Sequence, residues 1–173
     1  MPEVSEASAS SAATGSPIPY DQLLTRLREL EDQQALRALM IRGWHALDRK
    51  DWQTWIDCWA EDAVLEFAPW GTLRGRDLIR ARVTEAESGY AAMQHHILNM
   101  HFDVEGDHAR GIGYMWFVAV PHAERPDDHY AMGGPYAWTY ARGAEGWRLT
   151  GQRLGVAWTG GQDTAGAFTP EGA

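Results

Sequence analysis

The residues best suited to moving protons in this chain are two carboxylates and two adjacent imidazoles. Asp48 and Asp51 flank a corner in "GWHALDRKDW", and His95 and His96 stand side by side in "MQHHILN". A carboxylate paired with an imidazole makes an acid–base couple that works near neutral pH. Asp51 precedes Trp52, Trp55, Ile56 and Trp59 at i, i+3, i+4 and i+7, so it reads as a helix N-cap. Asp48 falls instead in the last turn of the preceding helix, where the dipole works against a negative charge by roughly 0.3–1 kcal/mol. Such a carboxylate is either a solvated corner residue or a working group.

In a regular strand the two imidazoles point to opposite faces. Alternation puts His96 with Leu98, Met100, Phe102 and Val104 on the more apolar face. It leaves His95 with Ile97, Asn99 and His101 on the more polar one. A bulge near the strand start would exchange them. Other groups with chemistry are His122 in the loop-like "PHAERPDDH", the amide of Asn99, and the phenols Tyr114, Tyr130, Tyr136 and Tyr140.

Several chemistries lack their motifs. The chain has seven His but no HExxH spacing, so no metal site is predicted. No Gly-rich loop follows a strand and opens a helix, which leaves nucleotide cofactors without a cradle, and no cofactor is expected. The lone Cys58, read as packed on a helix beside Trp59, allows no intramolecular disulfide and no thiolate zinc cluster. It is compatible with a cytoplasmic location.

The bulk properties narrow the partners. A net charge of −9 argues against nucleic acid, whose phosphates need clustered Lys and Arg. No apolar run is long enough to span a membrane. Nine Trp in 173 residues predict an aromatic core or an aromatic-lined pocket.

The elements that position these groups follow from periodicity. Residues 1–18 are rich in Ser, Ala and Pro and read as a disordered arm; residues 161–173 read as a loose tail. Between them, residues 19–160 form one domain. Leu23, Leu27, Leu30, Leu36, Leu39, Met40, Trp44 and Leu47 make one stripe of a long helix. A second helix starts at Asp51, "EDAVLEF" is a short strand, and "GTLRGRDLIRARVTEAES" carries a third helix. After Met93 the chain alternates, with hairpin turns at "EGDH" and "GAE". Helices first and strands afterwards predict an α+β domain: a cone-shaped, curved antiparallel sheet packed against N-terminal helices around a hydrophobic pocket.

The order and spacing of "LEDQQALRALMIRGWHALDRKDW", "GTLRGRDLI", "QHHILN", "VEGDHARGIGY" and "YAWTYARGAEGWRLTGQRLGVAW" resemble the SnoaL-like branch of the nuclear transport factor 2-like, or cystatin-like α+β cone, superfamily. The likeness covers roughly residues 22–160 and is greatest to the scytalone dehydratase and bile acid dehydratase type. It implies catalytic roles for Asp48 and His95, with His122 as a second imidazole. It also implies that Gly43 or Leu47, and Phe67, stand where relatives keep tyrosines. A pocket lined by Trp44, Phe67, His96, Asn99, Tyr114, Trp116, Tyr136 and Trp138 is expected. The implied function is a cofactor-independent dehydratase acting on a hydrophobic cyclic or polyketide/terpenoid-like molecule. Isomerase or cyclase chemistry, or a non-catalytic binding module, are the alternatives. A homodimer or higher homo-oligomer through the sheet face is implied as well.

Overall fold

The computed structural model describes residues 17–164 and 166–168. Most of the predicted arm lies outside them. The chain order is α1 (Tyr20–Asp48), α2 (Trp52–Ile56), β1 (Trp59–Phe67), β2 (Gly71–Arg74), α3 (Arg76–Glu87), β3 (Ala92–Glu105), β4 (His108–Val120), β5 (Tyr130–Gly143), β6 (Gly146–Leu154) and β7 (Trp158–Gly161). The strands form one curved, unclosed sheet in the order β2-β1-β6-β5-β4-β3, with β7 pairing β5 off this path. This is the α+β architecture that the sequence predicts, with one correction. The sheet is mixed, because β1 runs parallel to β6. Helix α3 and the β3–β5 meander separate those two strands, a connection long enough for a parallel crossover.

The stripe on α1 is used over its second half only. Leu36, Leu39, Met40, Trp44 and Leu47 are buried, whereas Leu23, Leu27 and Leu30 are exposed. Asp51 does cap α2: its carboxylate accepts the N–H of Thr54 at 3.1 Å. Trp59, placed by periodicity on that helix, opens β1 instead, and Cys58 lies buried between the two elements.

Strand β3 contains the feature that decides which histidine faces inward. Its pairing with β4 skips from Leu98↔Tyr114 to His101↔Ile112, so Asn99 and Met100 together oppose Gly113. Asn99 takes a left-handed φ of 52°, which Asn tolerates better than most side chains. Gly113 has no Cβ to obstruct the bulge: one built there would lie 2.9 Å from the Leu98 carbonyl and 2.8 Å from Trp138. Before the bulge Met93, His95 and Ile97 turn inward; after it Met100, Phe102 and Val104 do.

Candidate functional site

Asp48 is the last residue of α1, and His95 lies on β3 at the edge of the sheet. An edge strand leaves alternate N–H groups unpaired. The Asp48 carboxylate takes the one at His95, at 3.0 Å to Oδ1 and 3.2 Å to Oδ2. The same Oδ1 lies 2.7 Å from His95 Nδ1. One carboxylate thus fixes both the backbone and the ring of His95. A carboxylate oxygen accepts, so Nδ1 is the donor of this bond and Nε2 points away from Asp48. The imidazole is 5% exposed and packs over Phe117 with ring centroids 4.5 Å apart.

The other edge of the ring faces a group that sequence reasoning missed. Glu87, the final residue of α3, holds Oε1 3.7 Å from His95 Nε2. Glu87 is buried, and its Oε2 has no hydrogen-bond partner. Burial raises its carboxyl to about 7; the His95 charge pulls the other way, and Asp48 adds to the rise. The corner residue Lys50 brings α3 here. At a φ of +60° its Nζ donates to the carbonyls of Ser88 at 2.9 Å and Tyr90 at 2.6 Å, capping the helix end with a cation. A Glu in the last turn of an amphipathic helix carries no local signal of its depth. Only the packing of α3 against the α1–α2 corner supplies it.

His95 stands between two spaces. Outside, a groove of about 390 Å³ between α1 and β3 reaches Asp48. Inside, a cavity of about 40 Å³ occupies the cone, lined among others by Trp44, Phe67, Glu87, His95, Tyr136 and Phe168. The inner space is smaller, and it is the one that Glu87, the neighbour of Nε2, shares with Tyr136. The Tyr136 hydroxyl donates to Met115 Sδ at 2.8 Å, and burial pushes its ionisation well above the ordinary phenol range. A thioether is a weak acceptor. This neutral phenol is therefore easily redirected to a stronger one.

Phe168 explains why the cavity is small. The predicted loose tail returns to the cone: Asp163 accepts the N–H groups of Ala167 at 3.2 Å and Phe168 at 2.7 Å, and Trp70 Nε1 donates to the Ala167 carbonyl at 2.8 Å. The Phe168 ring stacks between Tyr90 and Tyr130, at interplanar angles of 6° and 7°. A flat slot with aromatic walls is thus filled by the chain's own ring.

The remaining predicted site residues separate. Trp44, Phe67 and Tyr136 line the cone, and Leu47 does too. Trp138 is buried in the core, its indole N–H donating to Gln152 Oε1 at 3.1 Å; Gln152 itself lines the cavity. His96, Asn99, Tyr114 and Trp116 lie outside, on the opposite face of the sheet, because the bulge comes after Leu98 rather than near the strand start. His122 is exposed on the β4–β5 connection and does not line the cone. Of the other phenols, Tyr140 is buried in the core, and Gly43 packs against Cys58 instead of opening to the cavity. Among the described residues, no group of three or more His, Cys, Asp or Glu is placed to hold a metal ion, and no helix is long and apolar enough to cross a membrane.

Comparison with known proteins agrees with this fold. The family model for the SnoaL-like domain matches residues 28–153. No curated protein matches the sequence. Among solved structures, a proposed aromatic ring hydroxylase from Novosphingobium aromaticivorans is 26% identical, with 77% of this chain and 94% of that one covered at a TM-score of 0.67. A proposed scytalone dehydratase from the same organism is 21% identical, covering 88% of this chain and 97% of its own at 0.69. The hexachlorocyclohexane dehydrochlorinase LinA-type3 from Novosphingobium barchaimii is 17% identical, covering 80% and 95% at 0.69. The last two likenesses show the shared fold.

Proposed function

Since the chain belongs to the SnoaL-like family, we propose that it is a cofactor-independent lyase that eliminates water from a hydrophobic cyclic ketone. The observation that carries this reading is the Asp48–His95 hydrogen bond of 2.7 Å with Nε2 left free on the cone side. Nε2 removes the proton next to the carbonyl, Asp48 stabilises the imidazolium that forms, and Tyr136 turns from Met115 to the carbonyl oxygen as negative charge builds there. Trp44, Phe67 and Tyr136 supply apolar contact, and a flat ring takes the slot that Phe168 fills in the free protein. Neighbours named for dehydration and dehydrochlorination lend support, since both reactions take a proton and a leaving group from the substrate.

The test is turnover of a panel of cyclic β-hydroxy ketones by the wild-type protein and by His95→Ala, each checked for folding by circular dichroism. Appearance of the conjugated enone with wild type and its loss in the variant is the expected result. Equal turnover by the two proteins sinks the reading. Isomerase chemistry uses the same proton abstraction and is recognised in the same assay by a shifted double bond without loss of water.

We further propose a homo-oligomer formed through the outer face of the sheet. Leu98, Ile112, Tyr114, Trp116 and Trp158 are exposed there, and Trp116 and Trp158 lie edge to face at 6.2 Å. A contiguous apolar patch of this kind marks an association surface. Trp116→Glu is expected to shift the protein to monomer in sedimentation velocity without changing its circular dichroism. An unchanged oligomer, or a wild-type monomer, removes the proposal.

A further inference from the structure

Resting on that lyase reading, we propose that Glu87 is the proton donor to the departing oxygen. The site is therefore built for substrates that lose a hydroxyl group and not for those that lose halide. The geometry places acid and base on one side of the same small space. His95 Nε2 and Glu87 Oε1 are 3.7 Å apart, too far for a hydrogen bond to each other and close enough to serve neighbouring carbons on one ring face. Glu87 Oε2 is buried without a partner in the wall of the cone. An orphaned buried carboxyl oxygen costs stability unless something that binds there completes it.

Charge points the same way. The groups facing Glu87 are Asp48 from α1, His95 from β3, Tyr136 from β5 and Tyr90 just beyond α3; Lys50 is committed to the main-chain carbonyls of Ser88 and Tyr90. Burial first and Asp48 second oppose a second anion beside the imidazole, so Glu87 keeps its proton up to about pH 7. Once His95 takes a proton, the new imidazolium favours the Glu87 anion. Proton abstraction by one group therefore promotes proton donation by the other.

The step balances without any further reagent. His95 Nε2 takes the proton from the carbon next to the carbonyl, and the C–H electron pair becomes the new C=C bond. The C–O bond breaks at the neighbouring carbon, and the departing oxygen takes the Glu87 proton to leave as water. Imidazolium and carboxylate then stand 3.7 Å apart, and one proton passed from Nε2 to Glu87, directly or through the departing water, restores both. Hydroxide is a poor leaving group and needs that proton. Chloride does not. A site for dehydrochlorination has no use for a buried acid in this position.

Two probes with the same product test the assignment: 3-hydroxycyclohexanone and 3-chlorocyclohexanone, which both give cyclohexenone, read by its ultraviolet absorbance above the uncatalysed rate. Glu87→Gln is expected to lose ~10²–10⁴-fold in kcat on the hydroxy ketone and a much smaller factor on the chloro ketone, each relative to wild type on the same probe. Wild-type kcat on the hydroxy ketone is expected to fall as pH rises through about 7, with no such limb for the chloro ketone. Equal losses on both probes make Glu87 a positioning residue and overturn the proposal; so does no loss on either. A wild-type protein inert to both probes, or a His95→Ala variant as active as wild type, overturns the lyase reading itself. Infrared difference spectra of wild type minus Glu87→Gln test the acid without substrate: a protonated carboxyl band is expected one pH unit below about 7 and not one unit above. Its absence at the lower pH also overturns the proposal.

Discussion

Asp48→Asn is expected to leave the fold intact and to lower kcat on a cyclic β-hydroxy ketone by ~10²–10⁴-fold. An asparagine oxygen in the place of Oδ1 still accepts both the His95 backbone N–H, at 3.0 Å, and the Nδ1 proton, at 2.7 Å. The tautomer and the ring position are kept. What is lost is the charge: the neutral amide accepts a weaker hydrogen bond, and the imidazolium that forms in the reaction has no counter-ion. Because the two residues act as a unit, Asp48→Asn with His95→Ala should be scarcely worse than His95→Ala alone. Single-turnover kinetics of the three variants checks this. Losses that multiply, or an Asp48→Asn enzyme within tenfold of wild type, would show that the carboxylate only holds the strand edge.

The second large effect is on stability. Glu87 ionises at about 7 in the folded protein against an ordinary 4.5, chiefly because it is buried. The folded state therefore binds more protons than the unfolded state between these values, so stability falls as pH rises through that window. The stabilising proton is fully in place below 4.5, and its advantage is gone above about 7. The expected loss across the window is about 3 kcal/mol. Glu87→Gln has no proton to lose, so its unfolding free energy lacks this component of the slope. Urea titrations of both proteins at acid and at mildly alkaline pH give the comparison, which cancels the contribution of every other group. Parallel stability–pH curves would mean that the carboxyl ionises inside the fold as readily as outside it. The two effects also connect: the burial that destabilises the Glu87 anion also holds the proton that the proposed acid must give.

The architecture was largely legible because its signals are local. Helical spacing marked α1 and placed Asp48 in its last turn, the N-cap pattern marked Asp51, and strict alternation marked β4. What failed were readings that needed a neighbour. The inward parity of β3 turns on a bulge at Asn99, which exists because Gly113 on the next strand leaves room for it. The parallel pairing of β1 with β6 joins segments far apart in the chain, and the exposed Leu23, Leu27 and Leu30 carry the same stripe as the buried residues that begin at Leu36.

By itself, then, the sequence determined the order of the elements, the corner carboxylate and the presence of adjacent imidazoles on the first strand after α3. Alternation favoured His96 and the family likeness favoured His95; the tertiary structure shows His95 on Asp48, and it alone decided that Glu87 closes the other side of the ring, that Tyr136 is the phenol in the cone, and that Phe168 occupies the slot. Periodicity reports which residues share a face of one element. Which faces meet, and which carboxyl is thereby taken out of water, is fixed only when Lys50 draws the end of α3 onto the corner.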